Sequence, residues 1–147
     1  MTMKHRYIAI DPGVGTGVAT YSEGVFRSWE SYDLLEVAED VRSFVGRTEC
    51  EIVTEKFIIS QRTVQGKVYY ESLYLNGWLS IEYPLRHEQT AAQAKGFVSD
   101  AMLRHLGWYH KSKDGHALDA ARHLVYRAVK HNRERYLLTQ LEEFLTQ

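Results

Sequence analysis

A carboxylate placed at the end of a buried strand, followed by a hairpin, a helix and a returning strand, limits the folds open to this chain. Residues 6–10 (Arg-Tyr-Ile-Ala-Ile) form a short apolar run that stops at Asp11-Pro12-Gly13, where proline and glycine mark a turn. Residues 17–22 and 25–31 read as two more strands, joined by Glu23-Gly24, a two-residue connection of hairpin type. From Leu34 to Val45, apolar Leu34, Leu35, Val37, Ala38, Val41, Phe44 and Val45 recur at the spacing of an amphipathic helix, and Gly46 can end it. Residues 50–54 form the next strand and deliver Glu55 at its end. A helical crossover pairs its two strands in parallel and puts their carboxyl ends on one edge of the sheet. Asp11 and Glu55 are therefore expected to be neighbours.

After a polar loop over 60–67 comes an aromatic-rich helix from Tyr69 to Ile81, then a short strand near Pro84 to His87. Residues 90–106 are helical in composition, a long helix runs from Gly115 to about His131, and Tyr136, Leu137, Leu141, Phe144 and Leu145 give the tail helical spacing. The class is α/β, with a mixed five-stranded sheet in which a three-strand antiparallel meander is extended by parallel strands and flanked by helices. At 147 residues the chain suits one domain, with 1–131 as its body and 132–147 as a helical tail of the same domain. Its 44% hydrophobic and 25% charged residues exclude a disordered chain. Cys50 stands alone, which suits a reducing compartment, and the cytoplasm is the expectation. The stretch before Asp11 lacks the pattern of a signal peptide, and no apolar run approaches the roughly 20 residues of a membrane span, so no membrane is expected as partner.

Three acidic positions fall where chemistry could use them: Asp11 after the first strand, Glu55 after the fourth, and Asp119 in the long helix. His116 and Asp119 are spaced i and i+3, on one helical face, with Asp114 two residues upstream. Mg²⁺ favours carboxylate oxygens, and Mn²⁺ also tolerates imidazole, so three carboxylates with one histidine fit that pair of ions. Each residue also has a plainer reading: Asp11 as a turn residue, Glu55 as an exposed strand end, His116 and Asp119 as a surface pair. For Asp114 the plainer role, a cap on the long helix, is preferred over ligation.

Ile-Ala-Ile-Asp11-Pro-Gly-Val-Gly-Thr-Gly-Val-Ala, then Val-Thr-Glu55, then Gly-His116-Ala-Leu-Asp119-Ala-Ala-Arg resemble, in order and context, the catalytic motifs of the RuvC-type Holliday-junction resolvases. These belong to the ribonuclease H-like superfamily. The resemblance covers about residues 6–131 and is nearest to small phage-encoded members. It implies a ribonuclease H-like sheet, a homodimer, and metal-dependent cleavage of four-way DNA junctions leaving a 5′ phosphate and a 3′ hydroxyl. It also implies that Asp11, Glu55, His116 and Asp119 are the catalytic metal ligands, holding two Mg²⁺ ions with Mn²⁺ as substitute. Some members carry an aspartate where this chain has His116. Phe57 is the nearest match to an aromatic residue that wedges into the junction, one residue closer to the glutamate than usual, and is otherwise a core residue. The motifs fit strict junction resolution and broader cleavage of branched or flap DNA alike.

The formal net charge of −1 argues against coating DNA by bulk electrostatics, but the charge is unevenly distributed. Arg104, Lys111, Lys113, Arg122, Arg127, Lys130, Arg133 and Arg135 outnumber the acids around them, whereas residues 21–55 are strongly acidic. Gln61, Arg62, Gln65, Lys67 and Lys95 are candidate phosphate contacts. The Tyr69–Ile81 helix reads as core or interface, and the resemblance places it in the dimer contact. Two readings compete from other classes. The glycine-rich Asp11-Pro-Gly-Val-Gly-Thr-Gly also resembles the first phosphate loop of actin-like ATPases and sugar kinases, which need a second lobe that this length lacks. The other is a non-catalytic DNA-binding module, against which the full set of carboxylates stands.

Overall fold

The computed structural model describes residues 5–46, 48–56 and 70–146. Strand β1 (Tyr7–Asp11) lies at the centre of a five-stranded sheet of order β3-β2-β1-β4-β5. It pairs antiparallel with β2 (Thr16–Ser22), which pairs antiparallel with β3 (Val25–Ser31). Glu23 and Gly24 both have positive φ (53° and 82°), the conformation that lets a two-residue turn follow the twist of the strands it joins. Helix α1 (Leu34–Val45) then crosses over to β4 (Glu51–Glu55), which lies parallel to β1. Asp33 caps α1 by accepting from the backbone N–H groups of Leu35 and Glu36, and Gly46 closes it at φ 52°.

Helix α2 (Tyr70–Glu82) leads to β5 (His87–Gln89), which is parallel to β4. The expected strand at Pro84–His87 is shifted toward the carboxyl terminus. The N–H of Arg86 donates to the carbonyl of Tyr83, so Pro84 and Leu85 make a turn, and His87 is the first residue to meet Val53. The helical stretch expected over 90–106 is two helices, α3 (Ala91–Phe97) and α4 (Asp100–Leu106). Thr90 closes a capping box with Gln93, and Ser99 interrupts the run by capping α4 through the N–H of Met102. The long helix expected from Gly115 to His131 is α-helical as α5 (His116–Val125) and continues as a π-helical turn (Tyr126–His131). Two short helices follow, α6 (Arg135–Gln140) and α7 (Glu142–Leu145).

The side-chain period of two splits the sheet into two packed faces. Ile8, Ile10, Val18 and Ile52 face Val37 and Val41 of α1 and Leu75 and Leu79 of α2. Tyr7, Ala9, Ala19, Tyr21 and Val53 face α5, whose Ala120, Ala121 and Leu124 pack with Leu103, Leu137 and Leu141. Burying each such leucine stabilises the fold by about 1.5–3 kcal/mol. Alanines on both sides let α5 lie close on the sheet. The same parity puts Asp11 on the α5 side after Tyr7 and Ala9, and Glu55 there after Val53. Among the described residues no helix is long and apolar enough to cross a membrane.

Candidate metal centre

Asp11 ends the central strand and is 1% exposed. Its Oδ2 lies 2.8 Å from Nδ1 of His116, the first residue of α5, and its buried Oδ1 has no hydrogen-bond partner among the described residues. Leaving a buried oxygen unpaired costs about 1–3 kcal/mol, so the position is set by something other than stability. One ligand atom each from Asp11, His116 and Asp119 lies within 4.8 Å of the others. Glu55 stands outside that trio on the neighbouring strand, close enough to Asp11 for each carboxyl to shift the other's protonation. An orphaned carboxylate oxygen amid oxygen and imidazole donors fits a hard divalent cation, with His116 widening the choice to Mn²⁺.

Burial raises the Asp11 carboxyl well above the usual carboxylate range; the bond to His116 opposes the rise and the Glu55 charge adds to it. Glu55 moves the other way, because hydrogen bonds from His123 and Asp11 outweigh its own burial. The two carboxyls are thus pushed apart, Asp11 toward its neutral form and Glu55 toward its charged one. The bond to Asp11 raises His116, against the effect of burial.

Asp119 is held by cations. Its Oδ1 accepts from Arg122 Nη1 at 2.8 Å and its Oδ2 lies 3.8 Å from Lys95 Nζ, while Arg122 also pairs with Asp100. Lys95, Ser99, Asp100, Asp119 and Arg122 line an open cavity of about 440 Å³ beside the carboxylates.

Asp114 does not cap α5. Gly115, at φ 76°, occupies that position without a side-chain bond, and Asp114 Oδ2 instead accepts from the hydroxyl of Tyr32 at 2.6 Å. The carboxylate serving this helix start is Glu30, from across the sheet, which sequence reasoning missed. It accepts from the backbone N–H groups of Asp114 and His116 at 3.0 Å each and from Ser112 Oγ, with the Tyr32 hydroxyl, shared with Asp114, 2.9 Å away. Burial alone would raise its carboxyl, but these donors bring it below the ordinary value. The register pairs Glu30 with Gly17, the residue on which His116 rests, and no local signal marks it. Glu30→Gln turns an amide N–H₂ toward N–H donors. It is expected to lower stability by about 1–3 kcal/mol and to loosen His116, read as a lower melting temperature.

The glycines after Asp11 have a packing role. A Cβ at Gly13 would lie 2.5 Å from His116 Nε2, one at Gly15 would lie 2.8 Å from the Tyr32 ring, and one at Gly17 would lie 1.9 Å from the His116 carbonyl oxygen. Protein fills the space beside all three, which leaves no phosphate cradle of the ATPase type.

The structure brings Asp11, His116 and Asp119 together, leaves Glu55 beside Asp11 at the end of the neighbouring strand, and places Lys95, largely exposed, beside Asp119. Phe57, Gln61, Arg62, Gln65 and Lys67 lie outside the described residues. Within the basic carboxyl-terminal segment, Arg122 is paired at the site, Arg127 pairs with Glu51, and Arg104 stacks on Tyr109. Lys111 and Lys113 precede His116 in the loop that Glu30 holds. Lys130 lies toward the far end of the helix that begins at the site, about 20 Å along it.

The fold matches a solved structure. T. thermophilus RuvC in complex with a Holliday junction substrate superposes with a TM-score of 0.59 at 14% identity, over 88% of this chain and 96% of that one. The chain has a RuvC-like, ribonuclease H-like fold. No family model matches the sequence, and no curated protein matches it. The likeness therefore lies in architecture, in the five-stranded mixed sheet with its helices. The candidate centre rests on this chain's own side chains.

Proposed function

We propose that the chain is a metal-dependent endonuclease that cleaves branched DNA, above all four-way junctions, leaving 5′-phosphate and 3′-hydroxyl ends. The observation that carries the reading is buried Asp11, its Oδ1 unpaired among the described residues, grouped with His116 and Asp119 at the edge where β1 and β4 end. The RuvC-like architecture, seen on a Holliday junction in the T. thermophilus protein, points to the substrate. Asp11, Glu55, His116 and Asp119 would hold Mg²⁺, or Mn²⁺ in its place, as two ions. Such ions supply a water that attacks at neutral pH and stabilise the leaving oxygen of a phosphodiester. Asp11, fixed on the central strand, serves both ligand groups. Glu30 orients His116 through its backbone N–H, and Lys95 and Arg122 neutralise Asp119 and meet the substrate phosphates.

A panel of four-way junction, fork, flap and linear duplex, each with Mg²⁺ and with Mn²⁺, tests the reading. Nicking concentrated on the four-way junction is expected. Broad cutting of forks and flaps would assign the wider branched-DNA activity, and intact branched substrates with both ions would overturn the proposal.

Ion affinity should depend on pH. The proton held on Asp11 and that on a charged His116 must leave before either residue can ligate, so both upward shifts act in the same direction. Mn²⁺ affinity is expected to rise with pH from the ordinary carboxylate range through neutrality, by up to about tenfold per unit for each displaced proton, and then level off. Calorimetry in buffers of different ionisation enthalpy counts the released protons, and a flat profile with none released would contradict the assignment.

Each chain supplies one such centre among its described residues, and paired cuts in a junction require two. Helix α2 buries Leu75 and Leu79 on one side and exposes Tyr70, Leu73, Tyr74 and Ile81 on another, continued by Leu85. A second copy of the chain docks there in our reading, giving a two-fold homodimer. Tyr74→Lys is expected to shift the protein from dimer to monomer in sedimentation equilibrium and to leave its fold unchanged by circular dichroism. A wild-type monomer at micromolar concentration would refute the dimer.

A further inference from the structure

His123 shares the face of α5 that presents His116 and Asp119, seven residues beyond the first and four beyond the second. It is 1% exposed, and both ring nitrogens face partners. Nε2 lies 3.5 Å from Glu55 Oε1, and Nδ1 lies 3.1 Å from Nε2 of Gln89. Gln89 is also buried, at the end of β5, where the parallel register sets it beside Glu55.

The Gln89 amide orients the whole chain of contacts. Its Nε2 donates to the His123 backbone carbonyl at 3.0 Å; an amide oxygen in that place would face another oxygen. The amide keeps this orientation although its buried Oε1 has no partner among the described residues. The second Nε2 hydrogen is directed at His123 Nδ1, which must accept. In the neutral ring the single proton then sits on Nε2, aimed at the Glu55 carboxylate.

We propose that Gln89 and His123 form a positioning relay in which Gln89 fixes the Nε2–H tautomer of His123, and His123 holds the Glu55 carboxylate facing Asp11. The relay rests on the metal-site reading above. Glu55 is a long side chain at a strand end, a quarter exposed, and free rotation would carry its oxygens away from the cluster. A donor buried on a packed helix removes that freedom. Loss of such a partner behind a metal ligand typically costs about 10–100-fold in metal affinity. His123 and Gln89 are positioning residues, since neither faces the trio of ligand atoms.

The test combines an NMR reading of the ring with ion binding in the absence of DNA. In ¹⁵N-histidine-labelled, metal-free protein, the His123 signals, identified by their loss in His123→Gln, are expected to show a protonated Nε2 and an unprotonated Nδ1. Mn²⁺ binding is followed by the EPR signal of the free ion. His123→Phe is expected to weaken it about 10–100-fold, whereas His123→Gln, whose side-chain N–H₂ can donate from the place of the imidazole Nε2, retains most of the affinity. A merely structural histidine would lower the melting temperature of both variants and leave their Mn²⁺ affinities alike. An Nδ1–H tautomer in the wild type, or wild-type affinity in folded His123→Phe, overturns the relay. If His123→Phe does not fold, Gln89→Leu makes the same comparison: weaker Mn²⁺ binding supports the relay and unchanged binding overturns it. Absence of Mn²⁺ binding by the wild type would instead remove the metal-site reading, a separate outcome because the tautomer is read without metal.

Discussion

Asp11→Asn is expected to abolish junction cleavage, preserve junction binding and raise the melting temperature. The loss of rate follows from removing the buried carboxylate that ends β1 and bonds His116 at the start of α5. It should exceed the roughly 100-fold cost of losing a group that only supports a metal ligand. The gain in stability has its own cause. Because folding raises the Asp11 carboxyl above its unfolded value, the folded state binds that proton more tightly. The stabilising contribution is complete below the unfolded value near pH 4 and is lost as pH rises through the folded one. Asparagine escapes that loss, carries no charge beside Glu55, and can still accept from His116 Nδ1. The stabilisation should be near zero in acid and grow to about 0.5–2 kcal/mol above neutrality, within the range of single stabilising changes at functional sites. Thermal melts of both proteins at several pH values check the trend. A variant less stable than the wild type at alkaline pH would show that Asp11 serves the fold rather than the site.

Gly17→Ala is the second large effect. Its Cβ would meet the His116 carbonyl carbon at 2.2 Å and oxygen at 1.9 Å, a backbone contact that no side-chain rotation relieves. Helix α5 would have to lift from β2, moving His116 away from Asp11 and opening the tight alanine packing between helix and sheet. Overpacking of this kind costs about 1–3 kcal/mol, and more where backbone must move. Cleavage should be lost together with a large drop in melting temperature. Gly13→Ala separates the two effects: its two shortest contacts are with the tip of the His116 ring, which can turn aside, and its one backbone contact, the Gly15 carbonyl oxygen at 2.9 Å, is far milder than that of Gly17. The fold is then kept and cleavage is lost, because the imidazole no longer faces Asp11. Equal melting temperatures for Gly17→Ala and the wild type would contradict the close packing.

These two residues also show which parts of the structure were legible in the sequence. The meander, its Glu23-Gly24 turn, α1 and its Gly46 stop follow from local periodicity and turn chemistry, and the structure has them within a residue or two. The juxtaposition of Asp11 and Glu55 follows from the crossover alone, and the pairing of His116 with Asp119 follows from helical spacing. Glu30, Gln89 and His123 were not legible. They meet their partners only through strand register and the angle at which α5 crosses the sheet, which neighbouring residues do not encode. Asp114 was misread because an acid beside a helix start is a common cap, whereas here Glu30 arrives from across the sheet and Gly115 takes the position. The break at Ser99 did carry a signal, a serine followed by an acid within a helical run, and strand β5 moved because a turn at Pro84 and Leu85 precedes it. The glycine run after Asp11 reads as a phosphate loop until His116 is placed against it.

The central claim is that Asp11, Glu55, His116 and Asp119 hold divalent cations. Anomalous diffraction from crystals grown in Mn²⁺ tests it most directly. The account expects anomalous density bonded to Asp11 Oδ1, with His116, Asp119 and Glu55 completing the site, and its disappearance in Asp11→Asn crystals. Mn²⁺ found only at other surface carboxylates, with Asp11 Oδ1 still unligated, would contradict it.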